Sequence, residues 1–265
     1  MKESLPLFNH ALDEPTAFSP EALTEAVRAE RHISREPIPQ ICVLELDGDL
    51  TDWLVSTGVA HPLKSWACFH TTMFSLEVDG TTFGVVPRTI GGPFAVLVAE
   101  QMAVSGARVV FGLTSAGRVA PRMPVPGIVV VTSAIRDEGT SYHYLPPAEM
   151  VDAPSNVSRL LESELRSLPL PVLSGPVWTT DAPYRETQAQ LAAHARAGML
   201  AVEMQAASLF AFSLAHRFPV GVVAHVTNSV GETDEQFHKG GYELEFEILR
   251  GIFRAGNRLV SSSDT

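Results

Sequence analysis

The chain has 265 residues, 45% of them hydrophobic, enough for one large domain with a packed core. A formal net charge of -11 argues against a nucleic-acid backbone or an anionic membrane surface as its partner. No apolar run approaches the roughly 18 residues of a membrane helix, and Met1-Lys2-Glu3-Ser4 does not open a secretory leader. Cys42 and Cys68 lie in apolar segments and read as reduced core thiols, so the expectation is a cytoplasmic protein.

Residues 1–36 read as an N-terminal extension. They are irregular and Pro-rich at first, then form a short amphipathic helix over 21–31 after Ser19-Pro20. A domain over 37–260 and a flexible tail over 261–265 follow. Ile41 to Leu46 predicts a buried first strand. Phe74–Val78 and Phe83–Val86, joined through Asp79-Gly80, predict a hairpin. Ile90-Gly91-Gly92-Pro93 opens a helix from about Phe94 to Ser105, ending at Gly106. A strand over Val109–Leu113 runs into the small-residue turn Thr114-Ser115-Ala116-Gly117, and Ile128–Thr132 is too short and too branched for a helix. Helices are predicted over Ser155–Leu168, Tyr184–Ala197, Glu203–His216 and Phe237–Leu259, and strands over Val172–Val177 and Val220–Val226. Continuous apolar strands alternating with helices make an α/β fold, its sheet covered on both faces and mixed in direction because of the hairpin.

In such sheets ligands gather beyond the carboxyl ends of the strands. Three strand ends carry small or polar residues there: Asp47-Gly48-Asp49, Thr114 to Gly117, and Thr227-Asn228-Ser229. Glycine and serine let backbone amides approach an anion or a sugar closely. Ala201 to Phe210 adds Glu203 and Gln205 on either side of Met204, at the start of an otherwise apolar helix. That pattern reads as a clasp for a small polyhydroxylated ligand, or alternatively as carboxylate and amide capping the first helical turn. The nine histidines are scattered without ligand spacing, so no metal is expected.

Several longer motifs resemble the nucleoside phosphorylase family, in its uridine phosphorylase and hexameric purine nucleoside phosphorylase branch. They are Ile90 to Pro93, Thr114 to Gly117, Arg136 to Pro147, Gly175 to Thr187, and Val202-Glu203-Met204-Gln205, which departs from Val-Glu-Met-Glu at its last residue. The resemblance spans roughly residues 40 to 255. It implies a three-layer α/β/α sandwich whose mixed central sheet partly closes into a barrel. It also implies a homo-oligomer, a dimer or trimer of dimers, and N-glycosidic cleavage of a small-molecule nucleoside. No cofactor is implied beyond phosphate as co-substrate.

By that resemblance Met204 packs under the sugar, and Gln205, with Glu203, holds the ribose hydroxyls. Gln205 replaces a carboxylate, and charged hydrogen bonds are about twice as strong as neutral ones. Asn228 takes the place of the aspartate that protonates a purine; its amide can donate a hydrogen bond but cannot act as a general acid. Ser115, Ala116, Gly117, Tyr184, Arg185 and Asn228 form the implied base-binding set, and Gly48 and Ser115 the phosphate set. His32 lies near where pyrimidine-specific relatives place a partner's histidine.

The phosphate cations are the main departure. Asp52 stands at one family arginine and Gly112 at another. Each unit charge at about 4 Å is worth on the order of 4 kcal/mol at an effective dielectric near 20. Lys64, Arg88 and Arg118 are the candidates to restore them. Without such replacement, water could take the place of phosphate, with Asp49 or Asp52 as general base. A third reading is a non-catalytic nucleoside-binding protein that keeps only the fold.

Overall fold

Ile41–Glu45 is apolar and branched until its last residue, and it forms strand β1, buried along its whole length. It lies between β4 (Thr81–Pro87) and β5 (Val109–Arg118), parallel to both. The computed structural model describes residues 5–229 and 238–262. β3 (Phe74–Val78) meets β4 through Asp79 and Gly80, with φ of 51° and 76°. Both values lie in the left-handed region that a two-residue type I′ turn demands. β2 (Ala60–Pro62) extends this antiparallel edge.

On the other side of β1 the sheet rolls up. β6 (Gly127–Asp137), β8 (Val172–Thr180), β9 (Ala201–Glu203) and β10 (Val220–Ser229) follow β5, with β7 (Met150–Asp152) paired to β6. β10 pairs antiparallel with β6 and parallel with β5, so five strands close into a barrel and β1 to β4 extend outward from it. Closure removes two edges that would otherwise expose unpaired backbone groups.

Helices cover both faces. α3 (Gly92–Ser105) and α6 (Ala206–His216) contribute to one apolar cluster, with Cys42, Leu44 and Val110 of the sheet. α2 (Asp49–Ser56), α4 (Ser155–Leu165) and α7 (Tyr242–Ser262) bury their apolar faces in the other. There Phe83 of β4 stacks on Phe253 of α7 with ring centroids 3.8 Å apart. Both cysteines are free and buried. α1 (Pro20–Arg31), capped by the Ser19 hydroxyl, is tied to the domain by Arg31, which donates to the Cys68 carbonyl at 3.0 Å. Among the described residues no helix is long and apolar enough to cross a membrane.

Several elements differ from expectation. β5 does not stop at Leu113 but continues through the small residues 114–118, because the closing barrel pairs them with β9 and β10. The helix expected over 184–197 splits into a 3₁₀ turn (Pro183–Arg185) and α5 (Gln188–Arg196), since a Thr187–Gln190 capping box starts the helix there. Glu203 ends strand β9 rather than opening a helix. The last helix starts at Tyr242; Phe237, its expected first residue, lies outside the described residues. α7 carries the helix through 261 and 262, where a flexible tail was expected. α2 had no counterpart in the sequence reading, which left Asp49 to Asp52 in a turn.

Candidate active site at the strand ends

β1, β5 and β10 run in one direction, so their carboxyl ends share one edge of the sheet. The pairing brings Asn228 beside Gly117, Gly117 beside Val202, and Val202 beside Trp178 across four strands. Glu203 follows one residue on, opposite Thr179. Four segments separated in sequence thus converge through strand pairing.

The turn after β1 is built around a buried carboxylate. Glu45 accepts from the backbone amides of Gly48, Leu50 and Thr51 at 2.9, 3.1 and 3.0 Å, and from the Thr51 hydroxyl. The three amides are those of the N-cap residue Gly48 and of Leu50 and Thr51 in the first turn of α2, so Glu45 caps that helix. Burial raises its pKa, and the four hydrogen bonds oppose that shift. Gly48 has φ +91°, and a β-carbon there would stand 2.7 Å from Cγ and 3.0 Å from Cζ of Arg88. The Arg88 side chain therefore lies across Gly48, and its guanidinium pairs with Asp52. That hydrogen bond and charge raise the Arg88 pKa further.

A second cation closes the same corner. Lys239 donates to Asp47 at 2.7 Å and Asp49 at 2.9 Å, while Ser115 Oγ donates to the other Asp47 oxygen at 2.9 Å. Burial would lower the Lys239 pKa, but the two aspartates outweigh it and hold it above the usual lysine range. Behind this network lies a cavity of about 20 Å³, room for one water, lined by Glu45, Asp47, Ser115, His225 and Glu245 among others. Nε2 of His225 and Oε2 of Glu245 are buried and have no partner among the described residues.

At the start of α6 the acidic side chain turns inward. Glu203 accepts from the Thr179 hydroxyl at 2.5 Å and from the amides of Gln205 and Ala206 at 2.7 and 2.9 Å. Burial raises its pKa to about 7, against the lowering effect of those three donors. Gln205 is fully buried; its side-chain oxygen and nitrogen both lack partners among the described residues. Its Nε2 lies 3.3 Å from where a β-carbon of Gly112 would stand.

Residues 41–248 match the Phosphorylase superfamily. The chain belongs to the phosphorylase superfamily. Within it, the chain is 27% identical over 181 residues to a guanosine phosphorylase of Halorubrum lacusprofundi, covering 67% of this chain and 73% of the relative. It is 23% identical over 215 residues to a uridine phosphorylase of Escherichia coli, covering 75% and 84%. A uridine phosphorylase of Salmonella typhimurium is 29% identical over 85 residues, 32% of this chain and 34% of that one.

In this phosphorylase-superfamily chain the expected site residues are only partly assembled. Ser115, Ala116, Gly117 and Asn228 stand together on neighbouring strands, with Asn228 and Ser115 half-buried and Ala116 and Gly117 buried. Gly48 lies at the same edge, joined to Ser115 through Asp47. Glu203 is a helix cap with both oxygens engaged, the alternative place that the sequence offered for it beside the sugar clasp. Met204, half-buried, and Asn228 do not line the small cavity, nor does Gln205, whose side chain is folded back onto Gly112. Tyr184 is 100% exposed, and Arg185 beside it is also exposed on the 3₁₀ turn. Asp49 and Asp52 are each held by a cation rather than free as bases. His32 is the exposed, left-handed C-cap of α1.

The sequence reading missed Glu45, Lys239 and Glu245. Glu45 was hidden because it ends an apolar run and reads as strand. The signal for Arg88 was present, as one of three named replacement cations; of these it is the one the structure lays over Gly48. The long motif Arg136 to Pro147 is structural in large part. Arg136 is buried, donates to Ser141 Oγ and to the Pro146 and Leu145 carbonyls, and lies over the Tyr142 ring. Among the described residues no cluster of three or more His, Cys, Asp or Glu could hold a metal ion.

Proposed function

We propose that this protein cleaves the N-glycosidic bond of a nucleoside by phosphorolysis, yielding free base and ribose 1-phosphate. The observation that carries this reading is the Arg88 side chain laid across Gly48, with Lys239 close by at Asp47 and Asp49. The turn that lacks the expected arginine thus receives two cations from elsewhere in the chain. To serve phosphate, the Gly48 amide would turn from Glu45 and the Ser115 hydroxyl from Asp47, the partners they hold in this turn. Met204 and Gln205 would meet the sugar, and Asn228, with the Ala116-Gly117 backbone, the base. Departure of a base leaves positive charge on the sugar and negative charge on the base, so an amide donor and an anionic nucleophile on opposite sides of the sugar favour the transition state.

Hydrolysis is the second reading, and one observation favours it. Glu45, Asp47, Asp49 and Asp52 still outnumber Arg88 and Lys239 at the turn, so a phosphate dianion must displace a carboxylate from a cation. Water need not. We also assign the chain to a homo-oligomer, a dimer or trimer of dimers, testable by light scattering on the eluting protein.

The relatives are named for a purine and a pyrimidine nucleoside, so the test uses both classes. Purified protein is incubated with a mixed nucleoside panel, with and without phosphate, and the products are identified by mass spectrometry. Ribose 1-phosphate formed only with phosphate supports phosphorolysis. Free ribose independent of phosphate selects hydrolysis, and tight binding without product rejects both.

A further inference from the structure

A second chemical environment lies at the far end of α6, about 15 Å along the helix from Gln205. There the N-terminal segment, α3 and α6 together line a cavity of about 840 Å³. The volume lies within the range of small-molecule sites. Phe18, Tyr144, Phe212 and Phe218 give it aromatic walls, and the last turns of α3 and α6 both reach it. The segment is held down by ring contacts: Phe8 meets Tyr142 edge-on at 5.1 Å, and His10 lies 3.9 Å from His143.

The charged groups lining this cavity are of one sign. Glu14, Glu21 and Glu100 line it, and no lysine or arginine does among the described residues. Glu100 receives the Tyr144 hydroxyl at 3.0 Å and stands 3.8 Å from His216 Nε2, both on its Oε1. The C-termini of α3 and α6 add negative potential, and the N-terminus of α1, which also lines the cavity, carries Glu21 in its first turn against its positive end. His10 lines the cavity wall beside His143, with its Nε2 turned into the protein and away from the open space. Aromatic faces beside a carboxylate favour an ammonium group carrying an apolar body.

We propose that the cavity between the N-terminal segment and helices α3 and α6 is a second ligand site, for an organic ammonium ion with an aromatic or apolar body. Glu100 takes the charge, and the aromatic side chains of the wall pack against the body. The site is independent of the strand-end reading, sharing none of its residues.

The test is calorimetric titration at pH 8 of the full chain with phenethylammonium, and with 2-phenylethanol as a neutral analogue of similar shape. One saturable site per chain is expected, with the alcohol at least tenfold weaker. Glu100→Gln should weaken the ammonium at least tenfold, and Phe18→Ala, on the exposed N-terminal segment, several-fold. Asp49→Asn should leave binding unchanged. Absence of saturable binding, equal affinity for the alcohol, or binding untouched by Glu100→Gln overturns the proposal. Loss of binding in Asp49→Asn also overturns it, because the ammonium then sits at the acidic strand-end turn. If Glu100→Gln does not fold, the Phe18→Ala variant and the alcohol comparison decide alone.

Discussion

The side-chain amide of Gln205 occupies the space that a larger residue at position 112 would need. Its Nε2 would stand 3.3 Å from a β-carbon on Gly112, while Leu209 and Val222 close the same space at 3.2 and 3.4 Å. Two departures from the family pattern, Gly112 and Gln205, are therefore one packing event. The amide also has both polar atoms buried without partners among the described residues. Each group left unmet costs on the order of 1–3 kcal/mol.

Replacing Gln205 with methionine should therefore stabilise the protein. Methionine keeps the volume and removes the two orphaned polar atoms, so a gain of about 1–2 kcal/mol is expected. On the proposed reading of the site, the same change should weaken nucleoside binding, because the sugar would lose an acceptor. Urea unfolding and nucleoside titration measured together check both halves. A variant less stable than the parent would mean that the amide is satisfied in solution.

Arg88 should set the phosphate dependence. Its guanidinium is held by Asp52 and lies over Gly48. Arg88→Ala is expected to raise the KM for phosphate about tenfold, the size of one lost charged contact, with the nucleoside KM nearly unchanged. Asp52→Asn should move the phosphate KM the other way by releasing the guanidinium. If both variants leave phosphate dependence untouched, Arg88 is a surface ion pair and nothing more.

The parts of this arrangement that could be read in the sequence are those set by local chemistry. Asp79-Gly80 announced its hairpin because few other pairs tolerate two positive φ values in succession. β1 and β10 showed through their unbroken apolar runs. Thr114 to Gly117 misled for an opposite reason: small residues read as a turn, yet they are what the barrel admits where β5 is flanked by β9 and β10. The direction of the Glu203 side chain was beyond local reading. It depends on Thr179, which lies 24 residues earlier and is brought alongside by parallel pairing of β8 and β9. Arg88 could be named as a cation but not placed, since its φ of 60° is set by the fold around it.

Glu203 should make stability fall as pH rises. Burial lifts its folded pKa from 4.5 to about 7, so between those values the folded protein keeps a proton that the unfolded chain releases. The contribution is fully present below pH 4.5 and is lost as pH rises through about 7, an effect on the order of 3 kcal/mol. Glu203→Gln, which does not titrate, should lack this component. Unfolding free energies at pH 5 and pH 7.5 should therefore differ more in the parent than in the variant. An equal pH dependence in the two would show that Glu203 ionises normally.

Gly48→Ala should reproduce the loss of Arg88 without touching it. At φ +91° an alanine costs about 1–2 kcal/mol in backbone strain. Its β-carbon would also stand 2.7 Å from Arg88 Cγ, so the arginine must leave the turn. The phosphate KM should rise as it does in Arg88→Ala, and the double variant should be no worse than either single one, because the same contact cannot be lost twice. Steady-state kinetics on the four proteins gives the coupling directly. Effects that multiply in the double variant would place Gly48 and Arg88 in separate roles.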